Sequence, residues 1–521
     1  MHSSARRPSD PDATTHRDGR QVAGHRALTP TGPALGRIGG RGSLLLLLTW
    51  LASFGMLQWS VVRFRVSIVL TLTVAAGLLA IWVVRRPAVR LTPSAAALAL
   101  AGGIPIALWV PLWSYLTPEA AGGVRILVAV SAGTCALLLW TGRSPVSVWA
   151  IAVATYVGTG ALAIVNDPHP KIDVWVTLQQ AADALADGRN FYSVIWVGSP
   201  GVKDAFTYLP WSAVLLAPGR LVAGDVRWML LAWVVVAALG LWLLGGPHDS
   251  WTRRAEASMP GAGAPEISGP ADSRPQSAMP RTGTPGTREV AAAVTALVLL
   301  APGTLTQIDQ AWTEPLLWAG LIWWALLMVR GRPWLSVLPL ALACASKQHL
   351  AAVLLVLLVW RPFGWRRTLA TGALTAALIA PWAMTAPADF VHDTITFLVT
   401  FHPIKFANTW YLLALNEFGV TLPFWVTGLV VGLAVGGALW AVRRRTPDIG
   451  EVIRWAALVL FAANLVNKQA FYNQYWLVGA LVALSLLLDH IPMRAVTPIT
   501  PPPAGRDQSP TALVRNWRSE D

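Results

Sequence analysis

The sequence predicts an all-α polytopic integral membrane protein, and three observations carry that prediction. Of 521 residues, 55% are hydrophobic and only 13% are charged, a composition that a soluble domain cannot bury. The apolar runs are continuous rather than alternating, which indicates membrane helices and excludes a β-barrel. Short arginine clusters separate many of the runs, as the positive-inside rule expects of cytoplasmic connections.

Fourteen apolar runs predict about fourteen transmembrane helices. They lie at about residues 44–62, 66–84, 94–114, 122–141, 146–165, 227–245, 289–303, 312–329, 334–346, 349–360, 368–384, 419–441, 451–466 and 475–490. With the arginine-bearing connections placed in the cytoplasm, the crossings alternate consistently if the short apolar stretch 208–222 stays at the outer surface. Pro210 and Pro218 interrupt that stretch, and Arg63 with Arg65 is the one exception to the charge rule.

The order of the runs gives a domain plan. It consists of a disordered cytoplasmic tail (1–43), five transmembrane helices (44–165), an extracytoplasmic loop with membrane-surface helices (166–226), one transmembrane helix (227–245), a disordered cytoplasmic linker (246–288), eight transmembrane helices with an outer loop at 385–418 (289–490), and a cytoplasmic tail (491–521). The first segment lacks an apolar core and a cleavage site, so we do not interpret it as a signal peptide. The linker, with seven Pro and six Gly, has the composition of a disordered segment.

The net charge of +14 does not predict a nucleic-acid partner, because its arginines are explained by orientation in the bilayer. Cys135 and Cys344 both lie inside apolar runs, so neither a disulfide framework nor a metal site is indicated. The polar residues that are not arginine anchors collect in segments predicted to face outward. These segments are 166–226, 302–315, 346–349, 385–418 and 467–475. That distribution is typical of an active site or binding vestibule, whereas channels and pumps usually hold ionisable residues at mid-membrane.

Asp173 is the first candidate for chemistry, and two interpretations of it remain open. It precedes a helix-like stretch that ends at Gly188, so it could cap that helix, as Asp167 could. It could equally be a general base at the membrane surface, where partial desolvation makes a carboxylate more basic.

Lys347 is a second candidate, because a lysine inside an apolar run is costly unless it reaches water or an anion. It could extend its ammonium to the interface, or it could bind a phosphate or pyrophosphate, together with neighbouring Gln348 and His349. Lys468 repeats the pattern of a lysine flanked by amides near Tyr at an outer helix end. Tyr208, in the Tyr-Leu-Pro step, is by itself ordinary membrane-surface chemistry.

Asp309, Gln310 and Glu314 share a tight outer turn. Two nearby carboxylates could bind a divalent ion, but the spacing defines no metal site. We therefore expect these side chains to bind substrate hydroxyl groups or to be solvated.

The order of these motifs resembles that of a known enzyme class. The loop D-V-W…A-A-D-A-L-A-D-G-R-N-F-Y, followed by F-T-Y-L-P-W-S-A-V-L-L-A-P, resembles the signature of GT-C glycosyltransferases that use polyprenyl-phosphate sugars. It is most similar to the actinobacterial α-mannosyltransferases of glycosyltransferase family 87. I-D-Q-A-W-T-E-P-L-L and R-G-R-P-W…L-A-C-A-S-K-Q resemble two further motifs of that family, over about residues 166–490. The chain departs from the family in having five runs before the Asp loop and Asp309 in place of a Gly.

The resemblance implies a GT-C fold and a function. The enzyme would transfer a sugar, mannose by the resemblance, from a polyprenyl-phosphate donor to an envelope glycolipid or polysaccharide at the outer face of the plasma membrane. Asp173 falls on the family's catalytic base and Lys347 on a lysine suited to the donor phosphate. Inversion would follow from in-line attack, with Lys347 and Lys468 stabilising the leaving phosphate, so no metal or other cofactor would be required. Gln310 and Asn473, with outer aromatic residues, would hold sugar rings.

Two other functions compete with the enzyme. The chain could be a multispan lipid or sugar transporter or flippase, with Lys347 and Asp309 as substrate or proton sites. It could also be a structural partner of a cell-envelope assembly, in which the outer loop only docks another protein. The absence of inverted repeats and of charges deep within the runs counts against the transporter.

Overall fold

The structure is a computed structural model, and it describes residues 41–61, 63–87, 89–112, 114–246 and 286–491. The predicted N-terminal tail, cytoplasmic linker and C-terminal tail lie outside these residues, apart from a few positions at their ends.

The regular structure of the described residues is helical. The α-helices, in chain order, are α1 Arg41–Ser60, α2 Val66–Arg85, α3 Pro93–Trp109, α4 Pro118–Trp140, α5 Pro145–Asn166, α6 Asp173–Ala186, α7 Trp211–Ala223, α8 Arg227–Leu244, α9 Thr287–Leu299, α10 Thr306–Asp309, α11 Glu314–Val329, α12 Val337–Cys344, α13 Ala351–Val359, α14 Gly364–Thr385, α15 Pro387–Val391, α16 Phe397–Thr400, α17 Trp410–Phe418, α18 Phe424–Arg445, α19 Ile449–Val466 and α20 Tyr472–Leu488. Short 3-10 turns at Phe191–Ser193 and Gln348–Leu350 and a π-helical turn at His392–Thr396 complete them.

The helices confirm an all-α multi-pass membrane protein. Each of the fourteen predicted runs contains one helix, and eight helices among the described residues are long and apolar enough to cross a bilayer unaided. The others are shorter. The thirteen residues of α9 span about 20 Å, against about 30 Å for the hydrocarbon layer. The number of crossings and the GT-C topology therefore remain predictions.

Three successive helices begin with the same sequence device. Thr92, Thr117 and Ser144 stand before Pro93, Pro118 and Pro145, and each hydroxyl accepts a hydrogen bond from a backbone N–H in the first helical turn. The hydroxyl satisfies one free donor, while proline costs nothing at a position whose N–H has no helical partner. These steps fix where α3, α4 and α5 begin.

The connections between helices lie at two ends of the bundle, and hydrogen bonds join connections at the same end. The polar end is where the connections 63–65, 114–117, 167–226, 300–313, 345–349, 386–423 and 467–471 lie. The arginine end is where the connections 89–92, 141–144, 245–246, 330–336, 360–363, 446–448 and 489–491 lie. At the polar end, Asn408 donates its amide to the carbonyl of Arg63 at 2.8 Å. At the arginine end, the indole of Trp360 donates to the carbonyl of Pro447 at 2.8 Å.

The segments that the sequence analysis assigned to the outer face thus share one end of the bundle. The described arginines at 85–90, 143, 330–332, 361–367 and 443–445 share the other end, whereas Arg63 and Arg65 lie at the polar end. Helix α7, the stretch interrupted by Pro210 and Pro218, has both of its ends at the polar end. Its start contacts the carbonyl of Ala345, and its last turn leads into Gly224, which α6 contacts. It therefore lies along that end of the bundle instead of running through it.

Candidate active site

Asp173 is the first residue of α6, at the polar end. The N-cap position is Ile172, so the helix-capping interpretation in its strict form does not hold. The Oδ1 atom of Asp173 accepts a hydrogen bond from the backbone N–H of Val174 at 2.9 Å. Burial raises the pKa of the carboxyl group, and the N–H groups of Val174 and Val202 only partly offset that rise. The side chain is partly exposed, so it combines raised basicity with access.

A glycine packs directly against this carboxylate. A Cβ atom added at Gly201 would lie 2.6 Å from the Oδ2 atom of Asp173. That distance is too short for a contact, so any larger residue at 201 would displace the carboxylate. The backbone at Gly201 and Val202 therefore closely covers one side of the Asp173 carboxylate.

Helix α6 is fastened to the turn that precedes α8. The side-chain amide of Gln179 donates to the carbonyl of Gly224 at 3.1 Å and accepts from the N–H of Val226 at 3.0 Å. The indole N–H of Trp175 donates to the Oδ2 atom of Asp225 at 3.1 Å. Because Trp175 follows Asp173 by two residues, these bonds fix the position of the carboxylate.

The turn itself is held by a buried ion pair. The guanidinium of Arg227 is fully buried and lies 2.7 Å from the carboxylate of Asp225. It also donates to the carbonyl of Asp167 at 2.6 Å, which ties the end of α5 to the start of α8. The sequence analysis did not select this pair, although two opposite charges separated by one residue at the start of an apolar run were a visible signal.

Lys347 is paired rather than free. Its ammonium donates to the Oε1 atom of Glu314, and both side chains are buried, with exposed fractions of 10% and 0%. The ammonium lies 5.3 Å from the ring centroid of Tyr208. Burial, with the carboxylates of Glu314 and Asp173, raises the pKa of Tyr208. Tyr208 thus lies within electrostatic range of both the candidate base and the buried ion pair.

Backbone contacts hold the Tyr-Leu-Pro step against this pair. The N–H of Leu209 donates to the carbonyl of Ser346 at 3.3 Å, and the amide of Gln348 donates to the carbonyl of Thr207 at 3.0 Å. His349 follows in the same turn and is partly buried. Tyr208, Lys347, Gln348 and His349, which the sequence analysis selected separately, therefore lie together.

Asp309 and Gln310 form a second part of the site. The amide of Gln310 donates to the Oδ2 atom of Asp309 at 2.9 Å. Burial raises the pKa of Asp309 to about 6, and the negative charge of Asp167 adds to that rise. The charges of Asp309 and Asp173 both contribute to the raised pKa of Tyr115, which the sequence analysis missed.

Buried polar atoms surround this turn. Both amide atoms of Gln307, the hydroxyls of Thr306 and Thr313, the Oε2 atom of Glu314 and the Oδ1 atom of Asn473 have no hydrogen-bond partner in the described part of the chain. Asn473 follows Tyr472, which donates to the carbonyl of Pro302 at 2.8 Å, so it begins the helix that packs against the turn. Buried polar groups normally find partners, so this cluster has the capacity to bind water or ligand hydroxyl groups.

Lys468 is held at the polar end by backbone carbonyls of the connection between α14 and α18. Its ammonium donates to the carbonyls of Phe401 and of Val399, the latter at 2.7 Å, and burial lowers its pKa. The two lysines that the sequence analysis grouped are therefore held by different partners.

The connection after α14 packs over the loop that follows α6. The carboxylate of Asp393 accepts from the N–H of Phe206 at 2.7 Å, and the amide of Asn190 donates to the carbonyl of Trp382 at 3.0 Å. Ring contacts join Tyr192, Phe206 and Phe390 across the same interface. The two loops predicted to be outermost thus form one packed layer beside the site.

Fold and site together describe a multi-pass, all-α membrane protein with carboxylates, amides and one buried lysine gathered at one end. No protein-family model matches the chain, and no curated protein matches it either. Among the described residues, no three His, Cys, Asp or Glu side chains are grouped so that they could hold a metal ion.

Proposed function

We propose that the protein is a membrane glycosyltransferase of the hexosyltransferase type. It would transfer a sugar, mannose by resemblance, from a polyprenyl-phosphate donor to an envelope glycolipid or polysaccharide at the extracytoplasmic face of the plasma membrane. The observation that carries the proposal is Asp173, a partly exposed carboxylate with a raised pKa that is fixed by its helix beside Tyr208 and the Lys347–Glu314 pair.

Asp173 is the proposed general base. It takes the proton of the acceptor hydroxyl while the hydroxyl oxygen forms a bond to the anomeric carbon of the donor sugar. The bond from that carbon to the phosphate oxygen breaks on the opposite face, so the configuration inverts and polyprenyl phosphate leaves. A raised pKa suits this step, because it makes the carboxylate a stronger base near neutral pH.

Lys347 is the proposed phosphate ligand. An ammonium group has three N–H donors, and the hydrogen bond to Glu314 uses one of them. The remaining donors are available for phosphate oxygens, and they would stabilise charge that develops as the bond breaks. Glu314 would hold Lys347 in place before the donor binds. For Lys468 we propose a structural role, because two carbonyl groups already occupy its ammonium.

The buried polar turn is the proposed sugar site. Asp309, Gln310 and Asn473 belong to it or border it, and its unpartnered hydroxyl and amide groups include both donors and acceptors. Sugar hydroxyls require both kinds of partner. Gln348 and His349 follow Lys347 directly, and Gln348 is bonded to the carbonyl of Thr207, so they would contact the donor beside its phosphate.

The decisive variant is Asp173→Asn, with Asp187→Asn as the matched control at the other end of the same helix. Asp187 forms an exposed ion pair with Arg189, so its loss leaves the site unchanged. Transfer from polyprenyl-phosphate mannose in membranes should fall by about 100-fold or more in Asp173→Asn, and stay normal in the control. Protein level and melting temperature should be equal in the wild type, Asp173→Asn and Asp187→Asn.

A pH profile provides a second readout. Because the pKa of Asp173 is raised, wild-type transfer should decline on acidification above the pH range in which an ordinary aspartate becomes protonated. Full transfer by Asp173→Asn would remove the assignment of the base. If the wild type transferred no sugar from any polyprenyl-phosphate donor and instead moved such lipids across vesicles, the transporter would replace the enzyme.

A further inference from the structure

An apolar slot runs between α1, α2 and α20, and Asp173 is not among its lining residues. Its volume is about 310 Å³, within the usual range of small-molecule sites of about 300–1,000 Å³. Its wall on α1 extends from Gly42 to Leu57, which corresponds to about 22 Å along the helix. A space of this length and volume is narrow, and it suits a single extended chain better than a compact ligand.

The walls of the slot are almost entirely apolar. Trp50 and Phe54 of α1, Ala75 and Trp82 of α2, and Gly479 and Ala483 of α20 form its centre. Helices α1 and α2 bury only 28% and 33% of their span inside the bundle, so their remaining surface faces the hydrocarbon layer. An apolar cavity of this kind does not hold water, and an empty one loses the dispersion contacts of its walls.

Positive charge marks one end of the slot. Arg90 lines that end, and its carbonyl accepts a hydrogen bond from the hydroxyl of Ser43 at the start of α1. Arg85 and Arg86 precede it by a few residues, and Arg445 donates to the carbonyl of Val84. Of these, Arg86 is paired with a carboxylate, that of Glu451. The slot therefore combines an apolar interior with a cationic mouth at the level of the arginine end.

We propose that this slot binds one acyl chain of an anionic phospholipid, whose headgroup lies beside Arg90 at the arginine end of the bundle. Hydrocarbon walls select the chain, and the excess of arginine at the mouth selects a negative headgroup. This site is independent of the glycosyltransferase proposal, because its charged mouth lies at the arginine end and its walls include none of the residues assigned to transfer.

The test measures lipid that stays bound to the full-length protein. Wild type and variants are purified in detergent and supplied with phosphatidylglycerol or phosphatidylcholine. Native mass spectrometry then gives the number of lipids bound to each chain. Wild type should retain one phosphatidylglycerol per chain. Ala75→Phe should lose it, because the ring fills the slot, whereas Val74→Phe, whose side chain is 61% exposed on the same helix outside the slot, should retain it.

The headgroup is tested separately. Arg90→Gln should weaken retention of phosphatidylglycerol about fivefold, the usual effect of one basic residue near an anionic surface, and Arg143→Gln should not. Equal retention of the two lipids by wild type would overturn the proposal for an anionic headgroup. Equal retention by wild type and Ala75→Phe would overturn the site itself.

Two further results keep the proposal testable. If Ala75→Phe does not fold, Ala483→Phe fills the slot from the opposite wall and carries the same expectation. If neither variant folds, added phosphatidylglycerol must raise the melting temperature of wild type more than phosphatidylcholine does, and failure to do so overturns the proposal. If deletion of residues 2–36 increased lipid retention, the N-terminal segment would be the natural occupant and the proposal would be wrong.

Discussion

Both ends of the bundle hold a largely buried ion pair, and the two pairs differ in what surrounds them. At the arginine end, Arg454 of α19 donates to Asp489 at 2.6 Å, and its guanidinium lies 4.9 Å from the ring centroid of Trp82. At the polar end, the Lys347–Glu314 pair is more deeply buried. The second carboxylate oxygen of Glu314 has no hydrogen-bond partner among the described residues.

This difference distinguishes an ion pair that links two helices from an ion pair beside polar groups that could bind a ligand. The arginine-end pair has further partners, because the hydroxyl of Ser485 accepts from Arg454 at 3.5 Å and the Trp82 ring lies beside the guanidinium, so the pair can link α19 to the end of α20. The polar-end pair adjoins a turn whose hydroxyl and amide groups also have no partners in the described chain. Unpartnered buried groups cost free energy, and proteins retain them mainly where a ligand or ordered water supplies the missing bonds.

The largest stability difference between the ends should come from removing one carboxylate charge at each. Glu314→Gln leaves the buried Lys347 without a counter-charge, and we expect it to lower the free energy of unfolding by about 3–5 kcal/mol. Glu451→Gln at the arginine end should cost less than about 1 kcal/mol, because the side chain of its partner Arg86 is 41% exposed. Unfolding in mixed micelles measures the free energy for both variants. Equal decreases would show that the two ends do not differ in this respect.

A smaller effect should appear as a pH dependence of the polar end. The pKa of Asp309 is raised by burial from 3.8 to about 6 in the folded protein. The folded state thus binds a proton at Asp309 more tightly than the unfolded state does. Protonated Asp309 therefore contributes stability that is fully present below pH 3.8 and is lost as the pH rises through about 6. Relative to that of Asp309→Asn, the free energy of unfolding of the wild type should fall by up to about 3 kcal/mol between pH 4 and pH 7. A constant difference across that range would show that Asp309 is not desolvated.

The smallest effect compares two indole hydrogen bonds. Trp175→Phe removes the bond to Asp225, and Trp149→Phe removes a 3.0 Å bond to the carbonyl of Ala238, toward the arginine end. Each should cost about 1 kcal/mol of stability. Under the proposed function, only Trp175→Phe should also reduce sugar transfer, because it loosens the helix that positions Asp173. Equal activity of the two variants would limit Trp175 to a structural role.

The sequence predicted the fold class and the helices well, because hydrophobic run length is a local property. It also placed Asp173 at the start of a helix and identified Lys347 as a costly charge. It did not identify Glu314 as the partner of Lys347, because the two residues are 33 positions apart, one at the start of α11 and the other in the connection after α12, and meet only through packing. The grouping of Lys468 with Lys347 relied on similar local motifs, which say nothing about the carbonyls that a distant loop presents.

The short length of α9 has a consequence for the turn that follows it. The helix advances about 20 Å, about 10 Å less than the thickness of the hydrocarbon layer. Helix α5, whose 22 residues span about 33 Å, packs beside α9 and also contacts α10 in the turn. Residues 304–313 of the turn, which include Asp309, are buried. Neighbouring helices therefore enclose the irregular backbone at the end of α9, and they keep it away from lipid, which could not satisfy its polar groups.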